Sequence, residues 1–284
     1  MRITEIYGGE HIPVSYEIFP PKGDLPVDEA RTVLSGLAEL DPAFVSVTYS
    51  AGGSGNSERT VQIADMGQRE LGLTMMAHLT CAGATKADMR RNIRSLKDHN
   101  IENVLALRGD LGPDRQVKDY HYAKDLIPQL RQEGFCVGAA AYPEGHVDCI
   151  DLHESVRYLK EKQDAGAQFF VTQLFFDNRY AYKFLDECRA ARIKVPIEFG
   201  IMPIMSKSQV SRMVFMCGAS LPSALVKLLA RYENKPDDLR KAGIEYASRQ
   251  LIGLAEHGVD ALHIYSMNKP DVAREIYENV RPYL

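Results

Sequence analysis

The chain has 284 residues, a formal net charge of −4 with both signs interspersed, and 45% apolar residues. This balance excludes a protein built around nucleic acid or an anionic membrane surface. No apolar run approaches the roughly 18 residues of a membrane-spanning helix.

Five cysteines, at 81, 136, 149, 188 and 217, form no C-x-x-C pair. They read as reduced thiols, not as a disulfide frame or a zinc site. The start, MRITEIYGGE, has no apolar signal core, so the expected location is cytoplasmic. Cys81 follows a strand end and reads as a small buried apolar residue.

The first predicted strand is VSYEIF (14–19), stopped by Pro20 and Pro21. It carries Glu17 inside an apolar run, where a carboxylate is costly unless paired, hydrogen-bonded or protonated. A helix over about 27–39 leads to DPAFVSVTYS, a second strand ending in Thr48 and Tyr49. The Gly-rich SAGGSGNSERT opens a helix that Asn56 or Ser57 would cap. It is neither G-x-G-x-x-G nor G-x-x-x-x-G-K, so it carries no nucleotide fingerprint. The third strand is TMMAHLTC (74–81), with His78, followed by a helix over 85–98. NVLALRGDLGP (103–113) is an apolar strand that delivers Arg108, Gly109 and Asp110 at its end. Such an end looks like a site: glycine admits a ligand close to the backbone, and two charges fix its polar edges.

The fifth strand, CVGAAAYPEGH (136–146), ends in Tyr142, Pro143 and Glu144, and a helix over 151–164 follows. QFFVTQLFFD (168–177) holds Gln173 in an apolar run, and VPIEFGIMPI (195–204) is the seventh strand. Helices fill about 206–256, DALHIYSMN (260–268) is the eighth strand, and a last helix covers about 270–279.

The polar strand ends recur at a fixed step. The intervals Glu17–Thr48–His78–Asp110–Tyr142–Gln173–Pro203 are 31, 30, 32, 32, 31 and 30 residues, and the last, to Tyr265, is 62. A step near 31 suits one strand and one crossover helix. Eight such units predict an α/β protein: a single (β/α)8 TIM barrel over 1–284 with extra helices before the eighth strand. An open doubly wound sheet would show a phosphate-binding glycine turn after its first strand; here that end is Glu-Ile-Phe-Pro-Pro. In the barrel, Glu17, Thr48, His78, Arg108, Asp110, Tyr142, Gln173 and Tyr265 all fall at the C-terminal rim, where barrel enzymes place their sites.

The chain shows no Cys/His/Asp cluster at metal-ligand spacing and no G-x-S-x-G elbow, so no metal or serine-nucleophile chemistry is expected. One embedded acid, one strand-end carboxylate, several rings and an amide suit a planar heterocycle such as a flavin, a pterin or both.

At these residues the sequence resembles the bacterial methylenetetrahydrofolate reductases across nearly its whole length. The resemblance rests on YEIFPP (16–21), FVSVTYSAGG (44–53), AHLTC (77–81), ALRGDLGP (106–113), AAYPEGH (140–146), DAGAQFFVTQLFFD (164–177), GIMPI (200–204) and YSMN (265–268) in this order. It implies non-covalent flavin (FAD ahead of FMN), NADH or NADPH as donor, and conversion of 5,10-methylenetetrahydrofolate to 5-methyltetrahydrofolate. By motif, Glu17 matches the general acid that protonates the folate. Asp110 matches a carboxylate near the flavin pyrimidine edge that also holds the pterin. Gln173 matches an amide that contacts both folate and nicotinamide, Gln209 matches another folate contact, and Tyr265 joins them on the substrate side. Thr48, Tyr49, Ala51, His78, Arg108, Gly109, Tyr122, Ala123, Tyr142, His146 and Lys162 match flavin contacts. The cofactor carries the hydride chemistry, and the protein supplies position and electrostatics.

Three departures stand out. Ser155 and Tyr158 replace acidic and amide flavin contacts of enterobacterial members, yet share a helix face with Lys162. Met213 stands where some members have a phenylalanine against the ligands. Lys269 replaces an arginine near the folate tail, keeping the charge without the planar fork. The resemblance also implies a homo-oligomer. Two other readings compete with a self-sufficient reductase: a flavin-bearing subunit reduced by an electron-donor partner protein, and a non-redox pterin-binding barrel of the methyltransferase type.

Overall fold

The computed structural model describes residues 1–21, 28–49, 56–109 and 117–284. Eight strands form the centre: β1 (Val14–Ile18), β2 (Val45–Val47), β3 (Met75–Thr80), β4 (Asn103–Leu107), β5 (Cys136–Ala141), β6 (Phe169–Thr172), β7 (Ile197–Ile201) and β8 (Ala261–Tyr265). Each pairs in parallel with the next, and β1 pairs with β8, so the sheet is a closed barrel in sequence order. The helices between them are α1 (Asp28–Ala38), α2 (Asn56–Leu71), α3 (Lys86–Asp98), α4 (Ala123–Gln132), α5 (Leu152–Asp164) and α6 (Asn178–Ala190). Three more, α7 (Lys207–Cys217), α8 (Ser223–Arg231) and α9 (Pro236–Glu256), precede β8, and α10 (Pro270–Val280) follows it. The chain therefore folds as the expected (β/α)8 barrel, and α7 to α9 account for the double interval before the last strand.

The pattern behind each unit is local. Thr85 and Asp88 form a reciprocal capping box at the start of α3, and Met89, Ile93 and Leu96 bury one stripe of that helix. Capping satisfies end donors that would otherwise stay unpaired. Along β1 the side chains alternate. Tyr16 and Ile18 pack into the layer under the helices with Leu34, Leu37 and Ile276, whereas Ser15 and Glu17 meet polar groups of β7, β8 and β3 inside the barrel. A fully buried Leu, Ile or Phe is worth about 1.5–3 kcal/mol, so the outer faces hold the layers together.

Several strands are shorter than the apolar runs that announced them. The run 168–177 yields only Phe169–Thr172, because Leu174, Phe175 and Phe176 are buried beyond the sheet edge. Residues 173–177 form neither strand nor helix, and an apolar run alone does not separate burial in a strand from burial just past its end. Helices α4 and α6, which the sequence pattern left unnamed, complete the series.

The N-terminal end of the barrel is closed. A 3-10 turn, Ile3–Glu5, puts Ile3 against Phe44, Met76, Leu105, Cys136, Phe169 and Val171. The Ile3 N–H donates to Asn103 Oδ1 at 2.9 Å, and Asn103 Nδ2 donates back to Met75 O at 3.2 Å. The floor is thus packed and hydrogen-bonded, leaving the C-terminal mouth for a ligand.

Candidate active site

A cavity of about 350 Å³ opens beside the C-terminal ends of β4 and β5, between α4 and α5. Arg108, Tyr122, Ala123, Tyr142, His146, Ser155, Tyr158 and Lys162 all line it. Eight expected flavin contacts from four separate stretches of chain therefore meet on one surface. Helix α5 starts at Asp151, whose carboxylate accepts from the Glu154 N–H; that start sets the rotation that turns Ser155, Tyr158 and Lys162 toward the cavity.

The cavity is cationic and aromatic. Lys162 Nζ donates to Ala140 O at 2.7 Å and lies 5.4 Å from the Tyr142 ring centre. Burial pushes its ammonium down from 10.5 to about 8, with Cys149 opposing and Arg108 adding to the shift. Arg108 pairs with Asp148 at 2.8 Å, and that hydrogen bond holds the Asp148 carboxyl below its usual range. His146 Nδ1 accepts from the Asp148 N–H at 3.1 Å, its ring stands edge-on to Tyr142 at 4.7 Å, and its backbone N–H donates to Ser155 Oγ. Tyr122 and Tyr158 are 54% and 39% exposed at this cavity, which leaves aromatic faces for a ligand ring.

Gly109 has a local explanation. Its φ is +82°, and a Cβ there would lie 2.9 Å from Thr80 Cβ. Glycine is needed for a left-handed turn pressed against β3, a turn in which the Ala82 N–H donates to Arg108 O at 2.7 Å. Cys81 is fully buried, and burial pushes its thiol up to about 12, as expected of a packing residue.

The second group sits in the barrel mouth. Glu17 is register partner to both Ser46 and Tyr265. Its Oε2 lies 3.4 Å from His78 Nε2 and 3.8 Å from His263 Nε2, and its side chain is 19% exposed. Burial pushes the His78 imidazole toward its neutral form. Both of these histidine nitrogens are buried without a hydrogen-bond partner among the described residues, as is Ser46 Oγ. Tyr265 donates to Thr172 O at 2.5 Å, and burial, then Glu17, raises its phenol well above the usual value. Gly200 makes room for that ring: a Cβ there would lie 2.6 Å from it.

A third group borders the mouth through Tyr265. Met213 and Tyr265 pack on one apolar cluster with Leu174, Phe176 and Met202. Gln173 Oε1 accepts from the Leu174 N–H at 2.8 Å. Gln209 is buried and caps its own turn, accepting from the Met205 N–H at 2.8 Å and donating to Pro203 O at 3.3 Å. Lys269 is exposed at the start of α10. Thr48 accepts through its carbonyl from Thr60 Oγ1, and Tyr49 packs on the main core. Asp110, Ala51 and the side chains of Asn56 and Ser57 lie outside the described residues.

The sequence reading missed a buried cluster. Glu198 of β7 accepts from Tyr7 OH at 2.5 Å and from Ser15 Oγ at 2.8 Å, and Ser15 Oγ lies 2.7 Å from His263 Nδ1. The signal was present: Glu198, like Glu17, is a carboxylate inside an apolar strand. Among the described residues no group of three or more His, Cys, Asp or Glu side chains is placed to hold a metal, and no helix is long and apolar enough to cross a membrane.

Comparison with known proteins gives the family and the fold of the chain. Residues 2–281 match the family model described as methylenetetrahydrofolate reductase. The chain is 33% identical over 283 residues to 5,10-methylenetetrahydrofolate reductase of Pectobacterium carotovorum, covering 99% of this chain and 94% of that one. It is 32% identical over 283 residues to methylenetetrahydrofolate reductase (NADH) 1 of Arabidopsis thaliana, covering 94% of this chain but 48% of the plant protein. The chain thus spans about half the length of such eukaryotic relatives and nearly all of the bacterial ones. Among solved structures, an uncharacterized protein from Clostridium thermocellum that binds two copies of 5-methyl-5,6,7,8-tetrahydrofolic acid has the same fold, with a TM-score of 0.69, 17% identity and 96% of each chain covered. With residues 2–281 matched by the family model and a bacterial relative covered over 94% of its length, this chain belongs to the methylenetetrahydrofolate reductase family.

Proposed function

We propose that the protein is a single-domain, flavin-dependent 5,10-methylenetetrahydrofolate reductase that yields 5-methyltetrahydrofolate for one-carbon metabolism and methionine supply. The observation that carries this reading is the cavity, where eight side chains expected at a flavin converge beside the mouth that holds Glu17. When bound, the flavin, as FAD, carries hydride from NADH or NADPH to the folate.

The residues fit such a group. A cavity of about 350 Å³ suits part of a dinucleotide. Lys162 and Arg108 supply cationic donors for phosphate, and hydrogen bonds to charged groups contribute about 1.5–3 kcal/mol each. Tyr122 and Tyr158 offer faces for a base. In the mouth, Glu17 holds the proton that opens the five-membered ring of the folate. His78, neutral through burial, sits beside that carboxyl without competing as a cation. Lys269, exposed on the same rim, suits the anionic tail of the folate as a point charge.

The test is direct. The purified protein should bind FAD, NADH should bleach its flavin absorbance anaerobically, and methylenetetrahydrofolate should restore it. Failure to bind FAD or FMN in excess sinks the oxidoreductase reading. Flavin that NADH leaves oxidised, but dithionite followed by folate cycles, moves the donor role to a partner protein.

A further inference from the structure

Below Glu17 the barrel holds a second carboxyl that the proposed reaction does not use. Glu198 is fully buried and accepts two hydrogen bonds, one from Tyr7 OH of the N-terminal segment to Oε1 at 2.5 Å and one from Ser15 Oγ of β1 to Oε2 at 2.8 Å. Ser15 Oγ continues to His263 Nδ1 at 2.7 Å, and His263 Nε2 faces Glu17 Oε2 at 3.8 Å. His263 is fully buried, and that nitrogen has no hydrogen-bond partner among the described residues. A buried imidazole nitrogen left unpaired costs free energy, and here it points at a carboxyl. A shift of roughly 0.8 Å closes the last gap to hydrogen-bonding distance.

One serine proton cannot serve both neighbours, so the chain has two settings. With Glu198 ionised, Ser15 donates to Glu198, His263 Nδ1–H donates to Ser15, and a bare Nε2 faces Glu17. With Glu198 protonated, Glu198 donates to Ser15, Ser15 donates to Nδ1, and Nε2–H faces Glu17. Burial favours the neutral form of Glu198, against the hydrogen bonds from Tyr7 and Ser15 and the nearby His263.

We propose that Glu198 is the source of the proton that Glu17 delivers to the folate, passed through Ser15 and His263 as Glu17 reacts. This deepens, and rests on, the reductase reading. In the step, the folate nitrogen takes the proton of one Glu17 oxygen while the other, Oε2, takes the proton of His263 Nε2. His263 Nδ1 takes the proton of Ser15 Oγ, and Ser15 Oγ takes the proton of Glu198 Oε2. One proton leaves Glu198 and one reaches the folate. Glu17, Ser15 and His263 end neutral, and the negative charge rests on Glu198, held by the Tyr7 and Ser15 hydroxyls. Glu17 thus works as an acid without becoming an anion beside the electron-rich reduced cofactor.

The other groups facing these residues do not substitute for this path. His78, from β3, is held toward neutrality by burial. The Tyr265 phenol, from β8, is raised and donates to Thr172 O. Ser46, from β2, carries no charge. Around Tyr7, Asp260 and Cys136 add only to the rise of its phenol.

The test uses Glu198→Gln, which keeps the shape and can still accept from Tyr7 and donate to Ser15, and Ser15→Ala, which cuts the chain with Glu198 intact. Rapid mixing follows each half-reaction, in water and in mixtures with D2O. The folate step should fall about 10- to 100-fold in either variant and no further in the double variant. Its dependence on deuterium fraction should change from curved, several protons moving, to linear, one proton. Flavin reduction by NADH should stay within about twofold. The proposal is overturned if the two losses multiply, if both half-reactions fall alike, or if the deuterium dependence keeps the wild-type form. Should Glu17→Gln block the folate step while Glu198→Gln leaves it intact, the relay is wrong and the reductase reading stands. Should Glu17→Gln itself leave the folate step intact, the acid assignment falls first.

Discussion

The cavity between α4 and α5 and the column below Glu17 are both polar, but they are built on opposite terms. In the cavity, cationic and aromatic groups sit half exposed, and among the described residues the Lys162 ammonium donates to one carbonyl. In the column, Tyr7, Ser15 and His263 close on Glu198, and Ser15, His263 and Glu198 itself are buried. The first arrangement suits the proposed anionic ligand. The second is nearly complete, and what it can still exchange is a proton. In the proposed reading, binding and chemistry therefore fall to different groups of residues, and substitutions should separate them.

The largest separation is expected at Glu17. Glu17→Gln keeps the shape and removes the acid, so folate reduction should fall by about 10²–10⁴, the usual cost of a lost general acid. Reduction of the flavin by NADH should remain within about tenfold. Stopped-flow absorbance resolves the two; equal losses would mean that Glu17 organises the mouth without acting as its acid.

Lys162→Met tests the cavity. Loss of a charged donor costs about 1.5–3 kcal/mol, or roughly 10- to 100-fold in flavin affinity, with the deuterium dependence of the folate step unchanged. The pH dependence follows from the same residue. The ligand-free protein releases the Lys162 proton near 8, whereas an unfolded lysine keeps it to 10.5. A bound phosphate restores that proton, so binding takes one up above pH 8 and flavin affinity should weaken as pH rises through this value. A Lys162→Met titration that weakens just as steeply between pH 7.5 and 9.5 would remove Lys162 from the site.

Gly200→Ala addresses the border between the regions. Its Cβ would press on the Tyr265 ring and on Thr172 O, 2.8 Å away. Overpacking of this kind costs about 1–3 kcal/mol, visible as a lower denaturation midpoint, with flavin affinity little changed. An unchanged midpoint would show that Tyr265 is free to move.

The smallest effect belongs to the rim. Lys269→Ala should raise the folate KM by less than about fivefold, since exposed charge contacts are worth about 1 kcal/mol or less. NADH reduction should not change. A KM equal to wild type would exclude the contact.

Much of this was legible before the structure. The 31-residue step announced eight strand–helix units, and the strand ends announced the mouth, because one face of each strand must be apolar and the exceptions are visible. Glu17 was found that way. Glu198 breaks an apolar run in the same manner, but it is the second residue of β7, away from the rim, so the pattern of polar strand ends does not single it out. Gly109 was read as room for a ligand, yet its positive φ and the approach of Thr80 already require it. Ser155 and Tyr158 looked like departures in isolation and are seen on the cavity wall once α5 is placed.

The sequence by itself determined the periodicity, and with it the barrel, its element order and the end that faces a ligand, because local hydrophobic pattern and chain connectivity leave few other closures. Only the tertiary structure decided which polar residues meet. Tyr7, Ser15, Glu198 and His263 lie up to 256 residues apart, and barrel closure of β1 on β8 and β8 on β7 brings them together. The raised proton affinity of Glu198 follows from that closure too, since burial by distant segments, not the neighbouring sequence, strips the water that would hold its charge.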